Sequence, residues 1–201
     1  PTAPMVGHLE RAHRPASPGT RAGGTPFGGA PAEPAPPSGP RLILNEVLAD
    51  PYPGIDANGD GEVGSTEDEY VEILNVGDRP ASLDGVRLRD RVRVRVELEG
   101  QLDAGAALVV FGGGTVGAAY PPDAAPAVIE PSLGLNNGGD TLTLETEDGT
   151  LLDRLDYGSE GGDDSALVRE VDGDPEAGWG LHRELFGRPA SPGLRADGRP
   201  F

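Results

Sequence analysis

The segment best equipped to do chemistry is residues 56–67, which read DANGDGEVGSTE. Asp56, Asn58 and Asp60 alternate along it, so a tight coil would direct their side-chain oxygens to one point. Glu67 stands at the twelfth position, where a carboxylate can supply two further oxygens. Ca²⁺ is a hard cation that takes about six to eight oxygen ligands. The spacing therefore matches a calcium-binding loop at every diagnostic position.

The remaining loop positions fit the same interpretation. Gly61 permits the sharp turn that the sixth position needs, and Glu62 can offer its backbone carbonyl. Gly64, at the ninth position, leaves room for a water ligand. Mg²⁺ suits the site less well, because it demands a rigid octahedral shell and this loop is rich in glycine. The predicted calcium ligands are Asp56, Asn58, Asp60, Glu62 and Glu67.

The flanks of this loop differ from those of a helix–loop–helix calcium site. Pro51 and Pro53 precede the loop and disfavour an entering helix, while residues 68–75 (DEYVEILN) read as a strand. Between Glu46 and Asp84 stand eleven acidic residues and one basic residue. A divalent cation would relieve the repulsion among these carboxylates. The alternative is a solvated acidic loop whose spacing is coincidental.

Catalytic patterns are weak in this sequence. The chain has no cysteine, which excludes disulfides, thiolate zinc sites and a cysteine nucleophile. His182 could in principle pair with a serine and an acid, but no nucleophile-elbow motif accompanies it. Gly112–Gly114 follows a strand, yet no helix pattern comes next to cradle a phosphate. We therefore predict that the protein is not an enzyme. A second acidic group reads as a solvated loop: Glu160, Asp163, Asp164, Asp172, Asp174 and Glu176.

The hydrophobic pattern predicts an all-β protein. Residues 86–99 alternate with period two, apolar on one parity and charged on the other, with a turn expected near Asp90-Arg91. Many short strands with regular turns indicate a β-sandwich. Trp179 is expected in the core, within a Gly/Pro-rich tail. The other predicted strands lie in 42–49, 69–77, 107–114, 141–158 and 165–171.

Five arginines on one parity of residues 86–99 raise the question of nucleic-acid binding. The net charge is −18, and no aromatic residues interleave with the arginines to stack on bases. A solvated sheet face with cross-strand ion pairs is the favoured interpretation. We expect no nucleic-acid partner, because the negative charge repels a phosphate backbone. We expect no membrane insertion, because the sequence contains no long apolar run.

The N-terminal region contains a repeat of the C-terminal one. Residues 14–27 and 188–201 are identical at eleven of fourteen positions, and His8 matches His182 at the same offset of 174. We interpret residues 1–27 as the end of a preceding copy of the same domain in a tandem array, poorly ordered when that copy is missing. The alternative is a shared low-complexity tail. Residues 28–40 read as a Pro/Ala/Gly linker, so the ordered domain should span 41–201.

Several ordered motifs together resemble the bacterial lamin-tail domain. They include the Asn45-Glu46 pair, the strand from Asp68 to Glu72 and the turn from Asn136 to Asp140. The matching stretches are 42–51, 56–78, 82–90, 108–114, 133–144 and 191–193. The resemblance implies an immunoglobulin-like β-sandwich and a non-catalytic module of secreted or surface proteins, often repeated. It leaves Glu46 and Glu72 either exposed on their strands or turned toward the calcium loop.

Two functions follow from these observations. The first is an extracellular or cell-surface, calcium-stabilised module with a structural or adhesive role in a tandem array. Its partners would be the neighbouring repeats and a protein or surface polymer. The second is an accessory module that targets a secreted hydrolase or nuclease. Further copies beyond the two ends would favour the first, and a catalytic domain the second.

Overall fold

The described residues form a sandwich of two sheets whose strand pairs are almost all antiparallel, as the sequence predicts. A computed structural model describes residues 38–131 and 133–201. Residues 1–27, interpreted above as the end of a preceding copy, lie outside the described part, as does most of the 28–40 linker. The strands are β1 Leu42–Leu48, β2 Tyr70–Asn75, β3 Ala81–Ser82, β4 Val86–Arg89, β5 Val94–Glu97, β6 Gln101–Leu102, β7 Ala107–Phe111, β8 Ala127–Ile129, β9 Asp140–Thr146, β10 Leu151–Tyr157, β11 Leu167–Arg169 and β12 Trp179–Leu181.

The larger sheet has the order β12-β11-β1-β2-β7-β8, in which only the β7–β8 pair is parallel. Its central strands β1, β2 and β7 are buried along their whole length. One face packs on the smaller sheet, and the other is covered by loops around Tyr70 and Phe111. Burial on both faces explains why these strands read as nearly continuous apolar runs.

The smaller sheet, β10-β9-β4-β5, has one wet face. Buried and half-buried residues alternate along β4 and β9, as expected from the period-two pattern. Arg87 lies 3.0 Å from Glu97 and 3.3 Å from Glu147 across the sheet, and Arg89 lies 3.1 Å from Glu145. The predicted cross-strand ion pairs are therefore confirmed. A separate two-stranded sheet pairs β3 with β6.

The turn predicted at Asp90-Arg91 is confirmed, with one difference. The Asp90 carboxylate is buried and accepts hydrogen bonds from the backbone N–H groups of Val92 and Arg93, at 2.8 and 2.6 Å. Its second oxygen pairs with the Arg95 guanidinium. Val92, expected on the apolar face, is 72% exposed because it lies in the turn itself.

The Gly/Pro-rich tail around Trp179 contains one more strand and a short helix. β12 pairs with β11, and helix α1, His182–Phe186, follows it directly. Trp179 packs against the core as predicted, half-buried, with the Arg169 guanidinium 4.6 Å from its ring centre. In the described ranges, no helix has the length and apolar character needed to cross a membrane.

Candidate functional site

The acidic loop, residues 56–68, is anchored by a side chain outside the predicted ligand set. Asp68 is buried, and its carboxylate accepts hydrogen bonds from the backbone N–H groups of Ala57 at 2.7 Å and Asn58 at 3.3 Å. Its second oxygen accepts from Gly64 at 2.9 Å. One carboxylate thus ties the two ends of the loop together immediately before β2.

Three of the five predicted calcium ligands come together. Asp56 Oδ1 and Asn58 Oδ1 both accept the backbone N–H of Asp60, at 3.0 and 3.1 Å. Asp60 accepts N–H groups of Glu62 and Thr115 with its two oxygens, and these bonds lower the pKa of its carboxyl. The three side chains therefore converge on one short stretch of backbone.

The other two predicted ligands lie apart from this convergence. Glu62 and Glu67 are exposed, and Glu67 lies beside the backbone of Gly64 and Gly113. Within the described ranges, no group of three or more His, Cys, Asp or Glu side chains is placed to hold a metal ion. Each converging oxygen still has a second lone pair beyond the backbone N–H it accepts. The donor chemistry fits calcium, but a complete shell requires Glu67 to turn inward.

The acidic loop packs tightly against the segment 112–120 that follows β7. The register pairs Tyr70 with Phe111, which brings the start of β2 and the end of β7 to the same end of the sheet. Gly117 donates its N–H to the Asn58 carbonyl at 2.9 Å. A Cβ on Gly117 would lie 1.9 Å from the Gly59 carbonyl oxygen, so only glycine allows this approach.

A second polar cluster lies beneath the outer face of the large sheet. Glu46 and Glu72 are fully buried cross-strand neighbours on β1 and β2. Neither is exposed nor turned toward the acidic loop, so both alternatives drawn from the sequence are wrong. Instead they meet residues 188–201, which we call the C-terminal plug. Burial raises the pKa of Glu46, and burial together with the charge of Glu46 raises the pKa of Glu72 well above its usual range.

The C-terminal plug supplies most of the hydrogen bonds to these two carboxylates. Ser191 donates its N–H to Glu46 Oε1 at 2.8 Å and its hydroxyl to Oε2 at 2.6 Å. Gly193 donates its N–H to Glu72 Oε2 at 3.0 Å. The Tyr70 hydroxyl also donates to Glu46, and the Asn45 amide to Glu72 at 2.8 Å. The buried acids are thus satisfied, which is what allows them to remain in the interior.

A scan against protein-family models matches residues 35–159 to the Lamin Tail Domain. The match spans more than half of the chain and contains both the acidic loop and the two buried glutamates. The chain belongs to the lamin-tail domain family. No curated protein matches the chain. The matched module is non-catalytic, and no catalytic domain accompanies it in the match.

His182, Ser191 and Glu46 form a buried chain of hydrogen bonds, in which only Glu46 lies within the matched residues 35–159. His182 Nε2 lies 2.9 Å from Ser191 Oγ, and Nδ1 lies 2.7 Å from the Arg188 carbonyl oxygen. A carbonyl can only accept, so Nδ1 carries a proton. The two bonds that link Nε2, Oγ and Oε2 need two protons, one from the hydroxyl and one held by the imidazole or the carboxyl. All three side chains are almost fully buried.

The asparagine turn of the lamin-tail domain closes the end of the small sheet. The Asn136 amide donates to Asp140 at 2.7 Å, and the Asn137 amide donates to Asp50 at 2.5 Å. Gly139 has a φ of +121°, a backbone conformation that glycine adopts without steric strain. Asn137 thereby ties this turn to the strand end that leads into the acidic loop.

Sequence reasoning missed the residues that hold the two clusters together. Asp68, Ser191 and Gly193 match no metal or catalytic pattern. The partners of Ser191 and Gly193 are 145 and 121 residues away in the chain, whereas those of Asp68 lie within 11 residues. Two signals were available. Asp68 and residues 191–193 lie in stretches that resemble the lamin-tail domain, and Ser191 and Gly193 lie in the segment that residues 14–27 duplicate.

Proposed function

We propose that this lamin-tail domain is a non-catalytic module of a secreted or cell-surface protein, stabilised by calcium at the acidic loop. Its role is structural or adhesive, within a tandem array of such domains. The carrying observation is the convergence of Asp56, Asn58 and Asp60 in a sequence that matches the calcium loop. The strongly negative surroundings, with eleven acids and one base between Glu46 and Asp84, favour a divalent cation.

The location follows from the affinity that such a site would have. Three converging side chains, with the exposed Glu67 lying apart from them, make a weak site of the extracellular type, which fills at roughly millimolar calcium. Such concentrations occur outside the cell. Calcium would then keep the acidic loop seated against residues 112–120 and hold the end of the large sheet rigid.

The test is a thermal melt of the full chain in calcium and in chelator. Calcium at about ten times the dissociation constant should raise the midpoint by roughly 3 to 6 °C, because it binds the native state alone. The variant Asp56→Asn/Asp60→Asn keeps one of the two acceptor oxygens at each position and loses two charges. Calcium should leave its midpoint unchanged. A matched control, Asp103→Asn/Asp123→Asn, removes the same charge from two exposed sites and should respond as the wild type does.

Magnesium at the same ionic strength separates specific binding from screening. A calcium site predicts a larger shift with Ca²⁺ than with Mg²⁺. Equal calcium shifts in the wild type and in Asp56→Asn/Asp60→Asn would refute the site.

A further inference from the structure

The C-terminal plug closes the large sheet through contacts that are specific to its residues. Ser191 and Gly193 satisfy Glu46 and Glu72, as described above. The Gly193 carbonyl also accepts the Ala125 N–H at 2.7 Å, and the Pro189 carbonyl accepts that of Ala166 at 2.8 Å. Ala196 is buried, and Phe201 packs against the apolar cluster that contains Tyr70 and Phe111, on the face of the large sheet away from the small sheet. Without the plug, two carboxylates would face solvent or an empty space in the interior.

Residues 14–27 keep every one of these contact residues. At the offset of 174, Ser17 and Gly19 correspond to Ser191 and Gly193, and Phe27 corresponds to Phe201. A close contact within the plug is retained as well. A Cβ on Gly198 would lie 2.1 Å from the Arg188 guanidinium, and residues 14–27 have Gly24 and Arg14 at the corresponding positions. A shared composition bias would not retain contact positions selectively.

The three differences between the copies fall where the plug makes its least specific contacts. Leu194, which becomes Thr20, is half-buried. Asp197 and Arg199 are exposed and bind each other, with Arg199 Nε 2.7 Å from Asp197 Oδ2. Both members of that ion pair are replaced together, by Gly23 and Thr25. The differences therefore leave neither member of the ion pair without its partner.

We infer that residues 14–27 are a second plug, whose binding site is the buried glutamate pair of another lamin-tail domain. The pair formed by Glu46 and Glu72 is already served by residues 188–201, so the partner is a second domain of the same kind. In a tandem array that domain is the preceding copy. The inference rests on the repeat part of the proposed function and is independent of its calcium part.

The test replaces the sequence of residues 188–201 by that of residues 14–27, within the full chain, and the resulting variant is called the graft. The triple variant Leu194→Thr/Asp197→Gly/Arg199→Thr gives residues 188–201 the sequence of residues 14–27. Its melting midpoint, measured in chelator, should stay within about 3 °C of the wild type. Ser191→Ala removes a donor to a buried carboxylate, so it should lower the midpoint by at least about 5 °C, in the wild type and in the graft alike.

A graft that melts as low as the Ser191→Ala variant would overturn the inference, as would a graft in which Ser191→Ala has no effect. If Ser191→Ala fails to fold, amide exchange in the graft decides instead. Protected amides at Ser191 and Gly193 support a second plug, and fast exchange at both refutes it. Because all samples contain chelator, a failure here is distinct from a failure of the calcium site.

Discussion

Glu69 is a residue whose ionised form is destabilised by burial in the folded protein. Its side chain is buried at the start of β2 and accepts the Leu135 N–H at 2.8 Å. Burial raises its pKa to about 7; the hydrogen bond from Leu135 and the charge of Arg95 act in the opposite direction, and Asp50 adds to the rise. A carboxyl whose pKa is higher in the folded state contributes stability below its unfolded value, near 4.5, and that stability is lost as the pH rises through about 7.

Glu69→Gln should remove this pH dependence. Glutamine can still accept the Leu135 N–H through its amide oxygen, but it does not titrate. Between pH 4 and pH 8, the free energy of unfolding of the variant should gain about 2 kcal/mol relative to the wild type. Urea unfolding at a series of pH values measures the difference. A difference that stays constant across this range would contradict the raised pKa.

The acidic loop and the segment 112–120 act as one element because two backbones touch. Gly117 approaches the Gly59 carbonyl closely, and Ala119 donates its N–H to the same oxygen at 3.1 Å. The seating of the loop therefore depends on backbone contact as well as on any bound ion.

Gly117→Ala should unseat the loop whether or not calcium is present. The added Cβ would force apart two backbone segments, at a cost of about 2 to 3 kcal/mol in the free energy of unfolding. Gly138→Ala is a suitable control, since its φ is not positive and nothing lies within 4 Å of the added atom. Chemical denaturation of both variants makes the comparison. Equal stabilities would mean that the loop does not rest on this contact.

At the scale of the whole molecule, the net charge of −18 works against compactness. The arginines on β4 already pair with glutamates across the small sheet, so they offset little of the remaining repulsion. At 0.1 M, sodium chloride largely screens the repulsion between exposed charges that are more than about 10 Å apart. Raising its concentration from about 20 to 500 mM should lift the melting midpoint by roughly 2 to 5 °C. The rise should be the same in Asp56→Asn/Asp60→Asn, because screening needs no site. A midpoint that falls with salt would show that attractive ion pairs dominate.

The sequence predicts the strands well and the buried acids poorly, for a physical reason. Period-two alternation identifies β4 and β9, and an apolar run identifies β7, because those patterns are local. The fate of Glu46 depends on Ser191, which is 145 residues away in the chain. No local pattern reports such a pairing, so the sequence leaves Glu46 either exposed on its strand or turned toward the calcium loop. The acidic loop is predicted in part. Its motif is local and can be recognised in the sequence, but the position of Glu67 depends on its packing against Gly113.

The pairing of Glu46 with the C-terminal plug also orders events during synthesis. β1 is among the first parts of the domain to leave the ribosome, and Ser191 follows 145 residues later. At roughly 5 to 20 residues per second, the interval is about 7 to 30 s. During that time the two glutamates have no plug, and they remain ionised and hydrated. A hydrated pair of charges at the centre of the future large sheet resists premature collapse and edge-to-edge pairing with other nascent chains. The same residues that need the plug in the finished domain would thus keep the unfinished one soluble.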